Sequence, residues 1–421
     1  MEIDVTLAIV GGSLLALALL STLLRRLLLS GVLIALLLGV AVGPEGLGLV
    51  EPGVWAGDER RLLEEVTRIT LAISLLGVGL RLTRSDVREN LLRVASLLGI
   101  GMFGMWLLTG LGAWLVLGLP VWSALALGAI LAPTDPVVAS TLVNGRLAQA
   151  NVPRRLRSTL LAESGANDGL ALPLVLLAVL MATHSSGEAL SDWAVESVRE
   201  VGVAVAMGLA LGWATGRLAE LVVRRREIEA TGLLGLGLAL ALLALGATHL
   251  AGGSGILACF VAGLAFSAVL EEHVREELDN VQETVTRVLI LPLFLLLGTV
   301  LPWSAWREVG WAGLAFAAWA LFLRRPPVVP VALARSQLDG RERAWLAWFG
   351  PMGAAALYYA ILVGEYEIAG YDTVYAAATL TVCVSVIAHS LTATPGVRWV
   401  ARRRLRTVVA HPLRADVEEQ P

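Results

Sequence analysis

Residues 161–173 read L-A-E-S-G-A-N-D-G-L-A-L-P and place four polar side chains in an apolar segment that is long enough to cross a membrane. These side chains belong to Glu163, Ser164, Asn167 and Asp168. At about 100° per residue, all four lie within an arc of roughly 140° on a helix. Because a carboxylate facing lipid is very costly, we expect this arc to face the protein interior or a water-filled cavity. Such an intramembrane acid predicts a functional site.

The composition indicates an all-α polytopic membrane protein. The chain has 421 residues, of which 57% are hydrophobic, and its mean hydropathy is +0.76. Many apolar runs reach about 20 residues, which is the length that spans a bilayer. The two cysteines lie in separate apolar segments without a C-x-x-C motif, so neither a disulfide framework nor a thiolate metal site is predicted. The first apolar run lacks a basic leader and a cleavage site, and we interpret it as a membrane span.

Hydropathy predicts about 13 transmembrane helices, joined by short connections. Together they form one membrane domain at 1–395, followed by a short arginine-rich cytoplasmic tail at 396–421. The spans are expected near 5–24, 27–43, 66–82, 91–117, 122–143, 156–182, 194–222, 230–250, 253–270, 284–302, 309–335, 343–364 and 372–395.

The distribution of arginine predicts the orientation, since the chain contains no lysine. Connections after odd-numbered spans carry most arginines, as in 84–93 and 154–157, whereas the opposite connections are mostly neutral or acidic. Arg60 and Arg61 are the exception. We therefore expect an outer amino terminus and a cytoplasmic carboxyl terminus in a multi-pass protein of the cell inner (plasma) membrane.

The 13 spans divide as about six, one and six, so that the fifth and twelfth occupy matching positions in two repeats. The fifth contains A-P-T-D-P (132–136) and the twelfth contains F-G-P-M-G (349–353). Proline within a helix removes a hydrogen bond and clashes with the preceding turn. Interrupted spans at matching places of two halves indicate a transporter binding site, although Pro and Gly are also common in ordinary transmembrane helices. The residues expected at the interruptions are Pro133, Pro136, Gly350 and Pro351.

Asp168 is the predicted carrier of the exchanged ion. Burial raises the pKa of a carboxyl group and a bound cation lowers it, so one carboxylate can hold either a proton or a small cation. With the hydroxyls of Ser164 and Thr134, it offers oxygen ligands that suit Na⁺ or Li⁺. The alternative is a hydrogen-bonded structural acid.

The other polar residues have different expected roles. Asp135 and Asn167 are adjacent to the helix break, where capping of free N–H groups is favoured over direct ion binding. Glu163 needs a partner if it is ionised. The candidates are Arg324 and Arg325, and also Arg68 and Arg287, all of which have snorkelling at a span end as the alternative.

The remaining sequence suggests no cofactor. Five histidines are scattered, mostly at span ends, without metal-ligand spacing. No P-loop and no G-x-G-x-x-G after a strand is present, so we expect neither a nucleotide cofactor nor a nucleic-acid partner.

A-P-T-D-P-V (132–137) and E-S-G-A-N-D-G (163–169) resemble the paired signatures of the monovalent cation/proton antiporter family, in its electroneutral NhaP-type sodium/proton exchanger branch. R-R-P-P-V-V, W-F-G-P-M-G and H-S-L-T-A-T-P extend the resemblance over nearly the whole chain. It implies an NhaA-like antiporter fold with two inverted six-helix repeats and crossed broken helices, in a homodimer that moves ions by an elevator-like motion and serves pH homeostasis. By the same resemblance, Asp168 matches the ion-binding aspartate, Asn167 the preceding asparagine, and Glu163, Ser164 and Thr134 the accessory site residues.

Two details of the resemblance bear on mechanism. Electrogenic relatives have two adjacent aspartates and a membrane lysine, whereas this chain has Asn167-Asp168 and no lysine, which predicts electroneutral 1:1 exchange. Many relatives carry arginine where this chain has Met352, and that arginine is thought to pair with the glutamate at 163. Here Arg325 is the expected substitute, or else Glu163 is protonated much of the time.

Several alternative functions remain at this stage. K⁺/H⁺ exchange differs from Na⁺/H⁺ exchange mainly in the size of the site. A channel would need a continuous polar pore, and a non-transporting ion sensor usually carries a large cytoplasmic domain. An intramembrane aspartyl protease would need a G-x-G-D motif, which is missing.

Overall fold

The computed structural model describes residues 30–53, 58–136, 138–139, 146–224 and 230–410, with isolated positions before residue 30. The described residues are helical and contain no β-strand. The first half of the chain forms α1 (Gly31–Val42), α2 (Glu59–Arg81), α3 (Arg84–Leu117), α4 (Val121–Leu131), α5 (Arg146–Asn151), α6 (Arg154–Thr183) and α7 (Ser186–Arg224). The second half forms α8 (Ala230–Leu250), α9 (Gly255–Val269), α10 (Glu272–Thr299), α11 (Trp303–Trp319), α12 (Val328–Ala332), α13 (Gly340–Trp348), α14 (Ala354–Leu362) and α15 (Tyr371–Ala410).

The predicted membrane character is confirmed by the helix lengths. Among the described residues, six helical segments are long and apolar enough to cross a membrane. Shorter apolar helices include α4 and α14, which are the parts of the fifth and twelfth spans next to their interruptions. The predicted span at 5–24 lies almost wholly outside the described residues, as do Arg25, Arg26 and His411. The number of 13 spans therefore stays a prediction.

Several helices are longer than hydropathy predicted. α10 begins at Glu272, although its span was expected from 284, and α2 begins at Glu59 instead of 66. α15 continues through Gly396, where the tail was expected to begin, to Ala410. Hydropathy marks the part of a helix in lipid, whereas Glu and Arg are good helix formers and extend the hydrogen-bonded backbone beyond it. Asp58 caps α2 by accepting from the backbone N–H groups of Arg60 and Arg61.

The helices pack in two groups that meet at α6. In one group α1, α2, α7, α8, α9 and α10 contact each other, and in the other α3, α4, α6, α11, α13, α14 and α15 do so. α6 contacts α7 and α9 of the first group, and α14 contacts α2. The polar stretch of α6 therefore lies near the boundary between the groups, with all four of its polar side chains buried.

Both predicted interruptions occur. α4 ends at Leu131 and is followed by irregular backbone at 132–135, and α13 and α14 are separated by 349–353. A third irregularity lies between them in the chain, because α11 passes into a π-helical turn at Ala320–Arg324 just before Pro326 and Pro327. A similar π-helical turn, Leu97–Gly101, lies inside α3. Such turns are rare and are frequent at functional sites.

Glycine allows the backbones of α1 and α10 to approach each other closely. A Cβ atom on Gly298 would lie 2.4 Å from the carbonyl oxygen of Leu36 and 2.8 Å from Cα of Gly39. Small residues at helix crossings provide much of the packing energy in membranes, where no hydrophobic force drives helices together. This crossing therefore depends on a residue without a side chain.

We predict that Gly298→Ala destabilises the protein by about 1–3 kcal/mol, because the added methyl group overpacks the crossing. The matched control is Gly246→Ala on α8, where an added Cβ meets nothing within 4 Å. Thermal unfolding in detergent should show a lower midpoint for the first variant and an equal or higher midpoint for the second. Equal midpoints for Gly298→Ala and the native chain would contradict the prediction.

Candidate ion-binding site

The two interrupted spans are joined through Asp135. Its backbone N–H donates to the carbonyl oxygen of Pro351 at 2.7 Å. Its carboxylate accepts from the N–H of Ala354 at 2.6 Å, at the start of α14, and from the N–H of Val138 at 3.1 Å. An acid at the amino-terminal end of a helix satisfies free N–H groups and complements the helix dipole. Asp135 thus caps backbone on both interrupted spans.

Arg324 contacts the carboxyl-terminal helix ends that precede the same two interruptions. One Nη donates to the carbonyl oxygens of Leu131 at 2.8 Å and Ala132 at 3.2 Å, at the end of α4. The other Nη donates to the carbonyl oxygen of Gly350, just beyond the end of α13. A cation is favourable at carboxyl-terminal helix ends. The structure therefore places Arg324 on backbone carbonyls and not on Glu163, for which it was a candidate partner.

Glu163 is paired with Arg325. Arg325 Nη1 lies 2.6 Å from Glu163 Oε1 and Nη2 lies 2.8 Å from Oε2, in a two-pronged contact. The two side chains are 1% and 2% exposed. Arg325 Nε also donates to the carbonyl oxygen of Leu346 in α13. The other two candidates pair elsewhere, Arg68 with Glu65 and Arg287 with Glu283.

A hydrogen-bonded chain links Glu163 to the interruption at 132–136. Asn167 Nδ2 donates to Glu163 Oε1 at 3.1 Å and to Thr134 Oγ1 at 2.9 Å, while Thr134 N–H donates to Asn167 Oδ1 at 3.2 Å. Thr134 Oγ1 lies 2.9 Å from Ser164 Oγ. Because the Thr134 hydroxyl accepts from Asn167, its proton is available for Ser164, which leaves the Ser164 hydroxyl at the end of the chain.

Asp168 differs from the other acids of the site. Its side chain is 0% exposed, and within the described part of the chain neither carboxylate oxygen has a hydrogen-bond partner. Its backbone carbonyl accepts from the hydroxyl of Tyr359. A buried unpaired carboxylate is too costly to persist, so this group requires a proton or a cation. Ser164 precedes it by one helical turn on the same face of α6.

Two residues that the sequence did not single out contact the second interruption. His389 Nε2 lies 3.0 Å from the carbonyl oxygen of Trp348, and its Nδ1 lies 3.2 Å from Ser385 Oγ and 2.8 Å from the Ser385 carbonyl oxygen. Ser385 Oγ accepts from Met352 N–H at 2.9 Å. The i, i+4 spacing of Ser385 and His389 in an apolar span was the available signal.

His389 completes a connection across the break. Its two ring nitrogens lie within hydrogen-bond distance of the Trp348 carbonyl oxygen and of Ser385, whose hydroxyl accepts from the Met352 N–H. Side chains of α15 thus bind both flanks of 349–351. Met352 itself is buried, and no cationic side chain is present at that position.

Comparisons with known proteins agree with this architecture. The family model described as sodium/hydrogen exchanger, transmembrane, matches residues 13–399. Na(+)/H(+) antiporter 2 of Zygosaccharomyces rouxii is 30% identical over 343 residues, which cover 78% of this chain and 42% of the yeast protein. K(+)/H(+) antiporter NhaP2 of a Shewanella species is 29% identical over 382 residues, which cover 90% of this chain and 64% of that relative. The chain thus spans less than two thirds of either relative's length.

A solved structure shares the fold. The sodium proton antiporter MjNhaP1 from Methanocaldococcus jannaschii superposes with a TM-score of 0.76 at 22% sequence identity, covering 95% of this chain and 100% of that one. Exchangers are transporters and not proteases, so the alternative of an intramembrane aspartyl protease is not pursued further. From the family model and the shared fold together, the chain belongs to the sodium/hydrogen exchanger family and is a multi-pass membrane protein.

Proposed function

We propose that this protein is a secondary active sodium/proton antiporter in which Na⁺ (or Li⁺) and H⁺ compete for Asp168. The observation that carries the proposal is the buried Asp168 carboxylate without a hydrogen-bond partner. Its neighbours are already compensated, Glu163 by Arg325 and Asp135 by backbone N–H groups. Asp168 is therefore the one acid of the site that is free to take up a proton or a cation.

The same balance of charges supports electroneutral 1:1 exchange. The Glu163–Arg325 pair sums to zero, and Asp135 and Arg324 are opposite charges at opposite helix ends. One proton on Asp168 neutralises it, and one monovalent cation does the same. The loaded site then has the same net charge in either case, so the membrane potential does not drive exchange.

The ion would be held by hard oxygen ligands. Asp168 supplies a carboxylate, and the hydroxyls of Ser164 and Thr134 supply further oxygens from α6 and from the interruption. Ser164 stands at the end of the hydrogen-bonded chain from Glu163, so the lone pair of its hydroxyl that does not accept from Thr134 is available to a cation. This assignment proposes Na⁺ at Asp168, Ser164 and Thr134, with Asn167 and Glu163 as supports.

The proposed mechanism is elevator-type alternating access. In it, the group of helices that contains the interruptions moves against the group that contains α7–α10, and the chain assembles as a homodimer in the plasma membrane. The two packing groups within 1–395 support this division. A second candidate function is K⁺/H⁺ exchange, which the similarity to the NhaP2 relative favours.

Asp168→Asn is expected to abolish exchange, because an amide can neither release a proton nor neutralise a cation. Proton flux should be measured in proteoliposomes after addition of Li⁺, Na⁺ or K⁺. The matched control is Asp192→Asn, which changes an exposed aspartate at the start of α7 and should leave flux unchanged. Normal exchange by Asp168→Asn would refute the assignment.

An imposed membrane potential should not alter the rate of exchange by the native chain. The order of the rates with Li⁺, Na⁺ and K⁺ distinguishes Na⁺ exchange from K⁺ exchange.

Glu163→Gln is expected to destabilise the protein by about 3–5 kcal/mol, because it leaves the buried Arg325 charge unpaired. The control is Glu196→Gln, which breaks the exposed i, i+3 pair with Arg199 and should cost no more than about 1 kcal/mol. Unfolding midpoints in detergent compare the two variants. If both changed stability equally, Arg325 would not depend on Glu163.

His389→Ala is expected to slow exchange about 3- to 10-fold, as loss of one hydrogen bond of 0.5–1.5 kcal/mol implies. We expect the effect on maximal rate and not on ion affinity, because His389 holds the break and does not touch Asp168. Ser385→Ala should act through the same connection, so the double variant should be little slower than either single one. His249→Ala, at the end of α8, is the control. Additive losses would show that the two residues act separately.

A further inference from the structure

We propose that a groove between α13 and α15 binds an anionic phospholipid. The phosphate would lie at the mouth of the groove, and the part of an acyl chain nearest the glycerol would lie in its interior. The groove has a volume of about 650 Å³. Its walls are mainly aromatic, formed by Trp345, Trp348, Phe349 and Trp399, with Arg398 at one end. It lies outside the ion-binding site, between α13 and residues 392–399 of α15.

The mouth of the groove is positively charged. Arg398 and Arg341 are both exposed, and the Arg341 guanidinium lies 5.7 Å from the centre of the Trp399 ring. Among the described residues that line the groove, none is acidic. Arginine binds phosphate oxygens through paired N–H donors and stacks on aromatic rings. This charge pattern fits a phosphate group with a net negative headgroup.

The interior offers an apolar surface with one unused donor. Trp345 is 1% exposed, and within the described part of the chain its Nε1–H has no hydrogen-bond partner. The neighbouring Trp348, by contrast, donates its Nε1–H to Thr392 Oγ1 at 2.9 Å. A buried donor without an acceptor is costly. A phosphate or ester oxygen in the groove would supply the acceptor only after the ring turns its Nε1–H toward the groove, because this atom is itself inaccessible.

The helix α13, which forms one wall of the groove, also extends over the depth at which a phospholipid changes from polar headgroup to apolar chain. Arg341 lies seven residues before Trp348 on α13, which corresponds to roughly 10 Å along the helix. Arginine and Trp residues at helix ends lie at the headgroup level of a bilayer. The groove therefore runs from that level toward the hydrocarbon, in the sense in which a phospholipid is oriented. A free phosphate ion would fill only the mouth.

Occupancy of this groove would affect the interrupted span directly. Trp348 and Phe349 form its wall and also lead into the break, and the carbonyl of Trp348 is the partner of His389. A bound acyl chain would restrict the end of α13, and thereby the backbone near Arg324. This consequence rests on the proposed antiport function, whereas lipid binding itself does not.

The test is quenching of tryptophan emission in the full-length protein in detergent. Phosphatidylglycerol with brominated acyl chains is titrated against brominated phosphatidylcholine. We expect saturable quenching with an apparent affinity about tenfold higher for phosphatidylglycerol, since each arginine near an anionic surface contributes roughly tenfold or less. R341Q/R398Q should remove this preference, and R307Q, an exposed arginine at the start of α11, should keep it.

The position of the bound lipid is tested with Trp399→Phe, which should lower the saturable quenching. The control is Trp311→Phe, which changes an exposed residue of α11. Competition by millimolar inorganic phosphate would show a headgroup-only site and overturn the phospholipid assignment. Equal quenching by the two lipids in the native chain would also overturn it, as would a preference that survives R341Q/R398Q. None of these measurements depends on transport, so antiport can fail in liposomes while lipid binding succeeds, and the reverse.

Discussion

The interruption of two helices inside a membrane leaves backbone groups that water cannot reach. Each such group costs several kcal/mol if it is unpaired in hydrocarbon. Asp135 binds free N–H groups on both interrupted spans, and Arg324 binds carbonyls on both. One anion and one cation therefore satisfy the helix ends that face the break. Since each of them touches both spans, they also hold the two interruptions together as one unit.

Two consecutive arginines at the end of the π-helical turn Ala320–Arg324 serve different partners, because neighbouring side chains on a helix point in directions about 100° apart. The wider turn ends at Arg324, and the helix stops at Pro326 and Pro327, which cannot donate backbone hydrogen bonds. Arg324 contacts the ends of α4 and α13, while Arg325 contacts Glu163 on α6. Arg325 thereby supplies the cation that balances the buried charge of Glu163. A buried pair of this kind specifies position more than it adds stability.

The sequence predicted most of the helices and the interruptions, because apolar length and proline position are local properties. It also predicted the grouping of Glu163, Ser164, Asn167 and Asp168, since that depends only on helical periodicity. The family resemblance pointed to Arg325 as the partner of Glu163, whereas the contacts of Arg324 with backbone carbonyls were not predicted, because they depend on the packing of the two interrupted spans. The sequence also missed the contact of His389 with the Trp348 carbonyl, since residues 41 positions apart meet only through the packing of α13 on α15. The helices α2, α10 and α15 extend beyond the predicted spans, because hydropathy reports the extent of lipid and not the extent of backbone hydrogen bonding.

The compensation of every neighbouring charge has a consequence for Asp168. A carboxylate with its own arginine would hold a constant charge and respond weakly to either ion, because the fixed cation would compete with both. Glu163 is in that situation, and it lies only five residues away on the same helix. Asp168 lacks such a partner among the described residues, so its charge has to be balanced by whatever ion enters the site. Under the proposed antiport function, the fixed pairs leave one unbalanced charge, which a single proton or a single monovalent cation can neutralise.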